Sequence, residues 1–87
     1  MNQLWFKRAQ SSPVVQVLSG SPWTYANSSG MIQLVTVSNG ALVTIELNLG
    51  FGFVLQIPIM GVFTLFPTQQ IRITYLVTPP DVTVTHL

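Results

Sequence analysis

The stretch LGFGFVLQIPIMGVFTLF, Leu49–Phe66, contains no charged residue. It reads either as a helix crossing a bilayer or as strands buried inside a β fold, and the choice decides the architecture. A helical span needs about 17–25 apolar residues, so this run sits at the lower limit. The helix would also have to hold Gly50, Gly52, Gly61, Pro58 and Gln56. Membrane helices tolerate glycine and proline, yet no basic residue anchors either flank of the run. The start of the chain, MNQLWFKRAQ, does not read as a signal peptide either, because its charges follow the aromatic pair and no apolar core comes after them. The neighbours on both sides favour strands.

Upstream lies MIQLVTVSNGALVTIEL. Asn39-Gly40 between two β-rich runs is a strong short-range hairpin signal, since a type I′ turn needs positive φ at both central positions. Counting outward from that turn pairs Ser38 with Ala41, Thr36 with Val43, Leu34 with Ile45 and Ile32 with Leu47. These pairs form one mostly apolar face, and Gln33 meets Glu46 on the other. The register predicts a hairpin with one buried face.

Downstream, VFTLF and QIRITYLV are separated by Pro67-Thr68-Gln69. Ile71, Ile73, Tyr75 and Val77 share one side and Arg72 and Thr74 the other, the period-two pattern of a half-buried strand. Thr78-Pro79-Pro80-Asp81 breaks the chain before Val82-Thr83-Val84-Thr85 alternates again. Val14–Ser19 and Trp23–Ala26 are shorter β-rich runs, punctuated by Gly20, Ser21 and Pro22. No stretch carries a helical period. Within this frame Gly50 and Gly52 mark a bend or bulge, Phe53–Ile57 a strand, Pro58–Gly61 a turn and Val62–Phe66 the next strand. The prediction is an all-β fold: a small antiparallel β-sandwich or jelly-roll-like barrel. An extended N-terminal arm over residues 1–13 precedes a single β domain over 14–87.

Composition narrows the function. An 87-residue domain buries only roughly 60–65% of its unfolded surface, so its core is marginal. Such domains usually gain support from disulfides, a metal or partner subunits. There are no cysteines, which leaves a partner subunit as the expected support. Charged residues make up 6% of the chain, against about 25% in an average soluble protein. With 48% hydrophobic residues, that balance fits a membrane protein or a subunit largely covered by neighbours. A net charge of +1 offers no basic stripe for nucleic acid.

No chemistry-bearing constellation stands out. Glu46 and Asp81 are the only carboxylates, one assigned to a polar strand face and one to a proline turn. His86, the lone histidine, is placed where chain ends fray, and a general base needs held geometry. No serine stands in a G-x-S-x-G elbow. No enzyme activity, cofactor or metal site is expected.

The aromatics carry more information. Trp5-Phe6 precedes Lys7-Arg8 in a stretch without strand alternation. These four residues either fold back onto their own domain or form an arm that inserts into a neighbour, because Trp, Phe and Arg are enriched in interface cores. Phe51, Phe53, Phe63 and Phe66 fall within the expected strands and are read as core. Trp23 and Tyr25 alternate on one strand face, again as core packing.

The order SPWTYANSSG, VTVSNGALVTIEL, GVFTLFPTQQIRITYLVTPPDVTVTHL resembles small β-rich structural proteins of tailed bacteriophages. Their pattern runs S-P-aromatic-T-Y-x-N, a strand, an S-x-G turn and a second strand. A G-x-F-x-L-x-P turn then leads to an R-(V/I)-T-Y strand, a Pro-rich bend and a final V-T-V strand. The matching residues are Ser21-Pro22-Trp23-Thr24-Tyr25, Ser38-Asn39-Gly40, Gly61 through Pro67, Arg72-Ile73-Thr74-Tyr75, and Pro79-Pro80 with Val82–Val84. The similarity covers about Ser19 to Leu87. In such proteins the middle often carries a polar, charged loop, whereas Leu49–Met60 here is apolar. That departure favours a contact surface and makes Phe51 and Phe53 interface candidates beside Trp5, Phe6, Lys7 and Arg8.

The resemblance implies a virion component: a capsid decoration (cement) subunit, or a small head or tail attachment protein. Its partners would be copies of itself, a trimer among the options, and the major capsid protein or another virion protein, with neither nucleic acid nor membrane. The alternatives are a carbohydrate- or receptor-binding module of a tail or fibre, built on Trp23, Tyr25 and Asn27, or a single-span membrane protein using Leu49–Phe66.

Overall fold

A computed structural model describes residues 12–41, 43–56 and 60–87. The elements it describes are all strands: β1 (Val14–Gln16), β2 (Trp23–Ala26), β3 (Gln33–Ser38), β4 (Thr44–Asn48), β5 (Phe53–Leu55), β6 (Gly61–Leu65), β7 (Gln70–Thr74) and β8 (Asp81–His86). Among the described residues no helix is long and apolar enough to cross a membrane. The opening run is therefore divided between β5 and β6.

The strands form two four-stranded antiparallel sheets, one in the order β1-β8-β3-β6 and the other β2-β7-β4-β5. Period-two alternation explains the layering. In β3 the buried positions are Gln33, Val35 and Val37; in β4, Ile45 and Leu47; in β7, Ile71 and Ile73; in β8, Val82 and Val84. Each sheet thus turns a row of β-branched and aliphatic side chains inward. Val43, Phe63 and Leu65 complete the core, and Leu18, Trp23, Tyr25 and Tyr75 pack at its margins. This is a small β-sandwich.

The hairpin read from Asn39-Gly40 does not form. β3 pairs with β6 and β8, while β4 pairs with β5 and β7, so the two strands lie in different sheets. Both turn residues do have positive φ, 61° for Asn39 and 90° for Gly40. The chain after them is captured by the 76–78 segment instead: Ala41 N–H donates to the Thr78 carbonyl, and Leu76 N–H to the Ala41 carbonyl. The physical reason is the number of apolar rows. A β3–β4 hairpin would bury Ile32, Leu34 and Thr36 but strand Val35 and Val37 on the polar face. Crossing to the second sheet lets Val35 and Val37 face Val43, Ile45 and Leu47 across one interior. Glu46 accordingly lies opposite Arg72, not Gln33.

Other boundaries shift by smaller amounts. β1 stops at Gln16 and β5 at Leu55. Tyr75 is half-buried and Val77 exposed, because β7 ends at Thr74. Phe63 is a core residue as read, but Phe51, Phe53 and Phe66 are not: Phe51 and Phe66 are 95% and 51% exposed, and Phe53 is half-buried on the outer sheet face, opposite Asn48. Phe51 sits in the connection between β4 and β5, and Phe66 opens the turn after β6, beyond the alternating positions that bury a side chain. The expected turn at Pro58–Gly61 falls partly, and the N-terminal arm almost wholly, outside the described residues.

Candidate interaction surface

The β4–β5 connection is a true hairpin, with Asn48 opposite Phe53 and Leu49, Gly50, Phe51 and Gly52 forming the loop. Asn48 organises it. Its Oδ1 accepts from the backbone N–H of Gly50 (2.9 Å) and of Gly52 (3.1 Å), while its Nδ2 donates to Gln70 Oε1 on β7. Gly50 and Gly52 have φ of 120° and 99°, which glycine adopts without steric cost. The loop is thereby folded around its polar base, and Phe51 stands out from its tip.

This tip continues into an apolar edge. Leu49 is exposed; Val54 and Leu55 on β5 are 58% and 57% exposed; Met60 is also exposed. β5 is the last strand of its sheet. Native edges are commonly blunted by shortness, charge or proline; β5 is three residues long and carries neither charge nor proline. Phe53, on the outer face, lies under the Arg72 guanidinium at 4.1 Å from ring centroid to Cζ. Arg72 in turn makes a two-point ion pair with Glu46, Nε to Oε1 at 2.8 Å and Nη2 to Oε2 at 3.1 Å. That hydrogen bond holds the Glu46 carboxyl below the ordinary carboxylate range and raises the Arg72 guanidinium further; desolvation acts against both shifts and the attraction between the two charges adds to them. The one ion pair described on this face is satisfied internally.

Of the residues read from sequence, Phe51 and Phe53 fall on this surface, and Trp5, Phe6, Lys7 and Arg8 lie outside the described residues. Trp23, Tyr25 and Asn27 do not form an open cluster. Trp23 and Tyr25 stack on each other, 6.0 Å between centroids, and point inward. Asn27 is buried, its Nδ2 donating to the carbonyls of Met31 (2.7 Å) and Leu65 (2.9 Å) and its Oδ1 accepting from Ser29 N–H and Oγ–H. Glu46 and Asp81 occupy different sheets, and Asp81 accepts from Asn39 Nδ2 at 2.7 Å.

His86 is not frayed. It closes β8, with its Nδ1 3.3 Å from Gln33 Nε2. Gln33, 2% exposed, also accepts from the Tyr25 hydroxyl at 2.9 Å, so a polar bridge joins the two sheets through the core. Sequence reading missed both Gln33 and Asn48. The Asn48-x-Gly50-x-Gly52 spacing could have flagged the second, since asparagine side chains cap nearby backbone N–H groups. Among the described residues no group of three His, Cys, Asp or Glu side chains could hold a metal ion. Comparison with family models, with curated proteins and with solved structures returned no match.

Proposed function

We propose that this chain is a structural subunit of a tailed-phage particle, a capsid decoration or cement protein that works by docking to its neighbours. The observation that carries the docking part is the exposed apolar hairpin around Phe51 in a chain with 6% charged residues. A surface of this kind is unfavourable in water and marks a site of association. The particle setting comes from the resemblance of residues 19–87 to small β-rich phage proteins. In this role the subunit binds the assembled shell and not its separated parts, and so stabilises the shell by mass action. Trp5, Phe6, Lys7 and Arg8 are assigned to an arm that anchors a neighbouring subunit.

Locating the chain on purified particles tests the proposal. Stoichiometric density or immunogold labelling on the head supports it, and absence from washed, intact particles rejects it. Deleting residues 1–8 should lower particle occupancy while leaving the melting temperature of the free protein unchanged. A lowered melting temperature at full occupancy would assign Trp5 and Phe6 to the subunit's own core.

A further inference from the structure

We propose that β5 is the pairing strand of a two-fold dimer, in which the β2-β7-β4-β5 sheet continues into its copy. This deepens the subunit reading above by naming the surface through which copies meet.

The hydrogen-bond phase of β5 carries the argument. Gln56 N–H donates to the Ile45 carbonyl at 2.8 Å, which makes Ile45 and Gln56 a bonded pair. The register places Leu47 opposite Val54 and Glu46 opposite Leu55. Bonded and non-bonded pairs alternate along an antiparallel ladder. The backbone groups of Val54 therefore turn toward β4, and those of Phe53 and Leu55 turn outward, away from the sheet. A second β5 laid antiparallel with Val54 on the two-fold axis sets Phe53 opposite Leu55 of the copy, twice. All the outward groups then pair with outward groups, and each such pair exchanges two bonds. The strand is self-complementary in phase.

Side chains agree with this register. Val54 shares the inner face with Leu47, so two facing Val54 side chains would extend the core across the axis. Phe53 and Leu55 share the outer face and would form a continuous apolar row. No unpaired charge on β5 opposes a copy of itself, because Glu46 and Arg72 behind it neutralise each other. A three-residue ladder is too short to hold alone. The exposed Leu49, Phe51 and Met60 add the missing contact: a covered aromatic contributes roughly 150–250 Å², a sizeable part of the about 800 Å² per partner that a standard interface uses.

The experiment uses the full chain and its lack of cysteine. Light scattering across a dilution series should show mass rising with concentration from the 9.6 kDa monomer to twice that value. Val54→Cys should form a disulfide-linked dimer under mild oxidation, since Cα atoms of a non-bonded antiparallel pair lie about 4.5 Å apart, within disulfide reach. Val62→Cys, on the opposite sheet's edge strand, should not. Leu55→Lys should weaken dimerisation at least tenfold with an unchanged far-UV spectrum; if that variant misfolds, the cysteine pair decides alone. A monomer at all concentrations, cross-linking through Val62→Cys, or dimers lost on deleting residues 1–8 but kept in Leu55→Lys would each overturn the pairing. None of these outcomes bears on whether the chain resides in a particle, which the localisation experiment decides separately.

Discussion

Glu46 and Arg72 face each other across β4 and β7 as direct register partners, and both oxygens of the carboxylate are engaged. The guanidinium also covers the ring of Phe53 on β5, so one cation ties three strands of the sheet together. Because the Glu46 carboxyl is lowered in the folded state, its contribution is present above the unfolded carboxylate pKa and disappears as pH falls through the folded one. Denaturant midpoints of the parent and of Glu46→Gln should therefore differ at neutral pH and converge in acid below the usual carboxylate range. An equal gap at both pH values would show that the ion pair contributes nothing beyond packing.

Gly40 is held where no other residue fits. A Cβ built there would meet Pro80 Cα, Pro80 N and Val43 Cγ2, each at 2.9 Å, and φ is 90°. Backbone atoms cannot step aside as a flexible side chain would. Gly40→Val should cost more than about 1 kcal/mol. Gly40→Asn, which tolerates positive φ, should be little better, because its Cβ strikes the same proline. Urea titration of the two variants checks this: near-parental stability of the Asn variant would mean that the Pro80 segment yields.

What the sequence disclosed and what it hid follow from the range of the interactions. β7 and β8 were legible because Ile71-Arg72-Ile73 and Val82-Thr83-Val84 alternate within a few residues, and the same holds for Trp23-Thr24-Tyr25. Asn39-Gly40 announced a turn with positive φ, but a turn does not say which sheet the chain enters next. That depended on β6 and β8 occupying both sides of β3. Phe51 was drawn into the core by its neighbours' hydrophobicity, whereas the loop geometry set by Asn48 turns it outward. Asn27 and Gln33 look like ordinary polar residues until their distant partners, Leu65 and His86, are in place.

Asn27 joins the 27–31 loop to the 65–69 turn through its side chain, and its backbone bonds with Gln69 and Thr68 reinforce the junction. Asn27→Ala removes the two side-chain bonds to the Met31 and Leu65 carbonyls, at a cost of about 1–3 kcal/mol. Asn27→Asp would set an anion against two carbonyl oxygens. Its folded pKa would be raised, so the variant should lose stability at neutral pH and recover part of it in acid, where the protonated carboxyl can donate. Thermal melts across pH should show the Asp variant improving relative to Ala as pH falls. Parallel curves would mean that the carboxylate escapes to solvent.

Thr68 occupies the strained corner of the turn that follows β6. Gln69 N–H donates to the Phe66 carbonyl at 3.0 Å, with Pro67 in second place and Thr68 at φ 75° in third. That is the type II arrangement, whose third position favours glycine. A β-branched side chain is a poor occupant there, and strain of this kind costs of order 1–3 kcal/mol. The turn persists because its other bonds are strong: Gln69 Oε1 accepts from Phe66 N–H, and Thr68 N–H donates to the Asn27 carbonyl. Thr68→Gly removes the steric penalty but increases the entropy of the unfolded chain by roughly 0.5–1 kcal/mol. The net expectation is a gain of up to about 1 kcal/mol, read as a higher urea midpoint with an unchanged slope. Thr68→Val keeps the β-branch and should give none of that gain. A Gly variant no more stable than the parent would show that Thr68 is accommodated without strain.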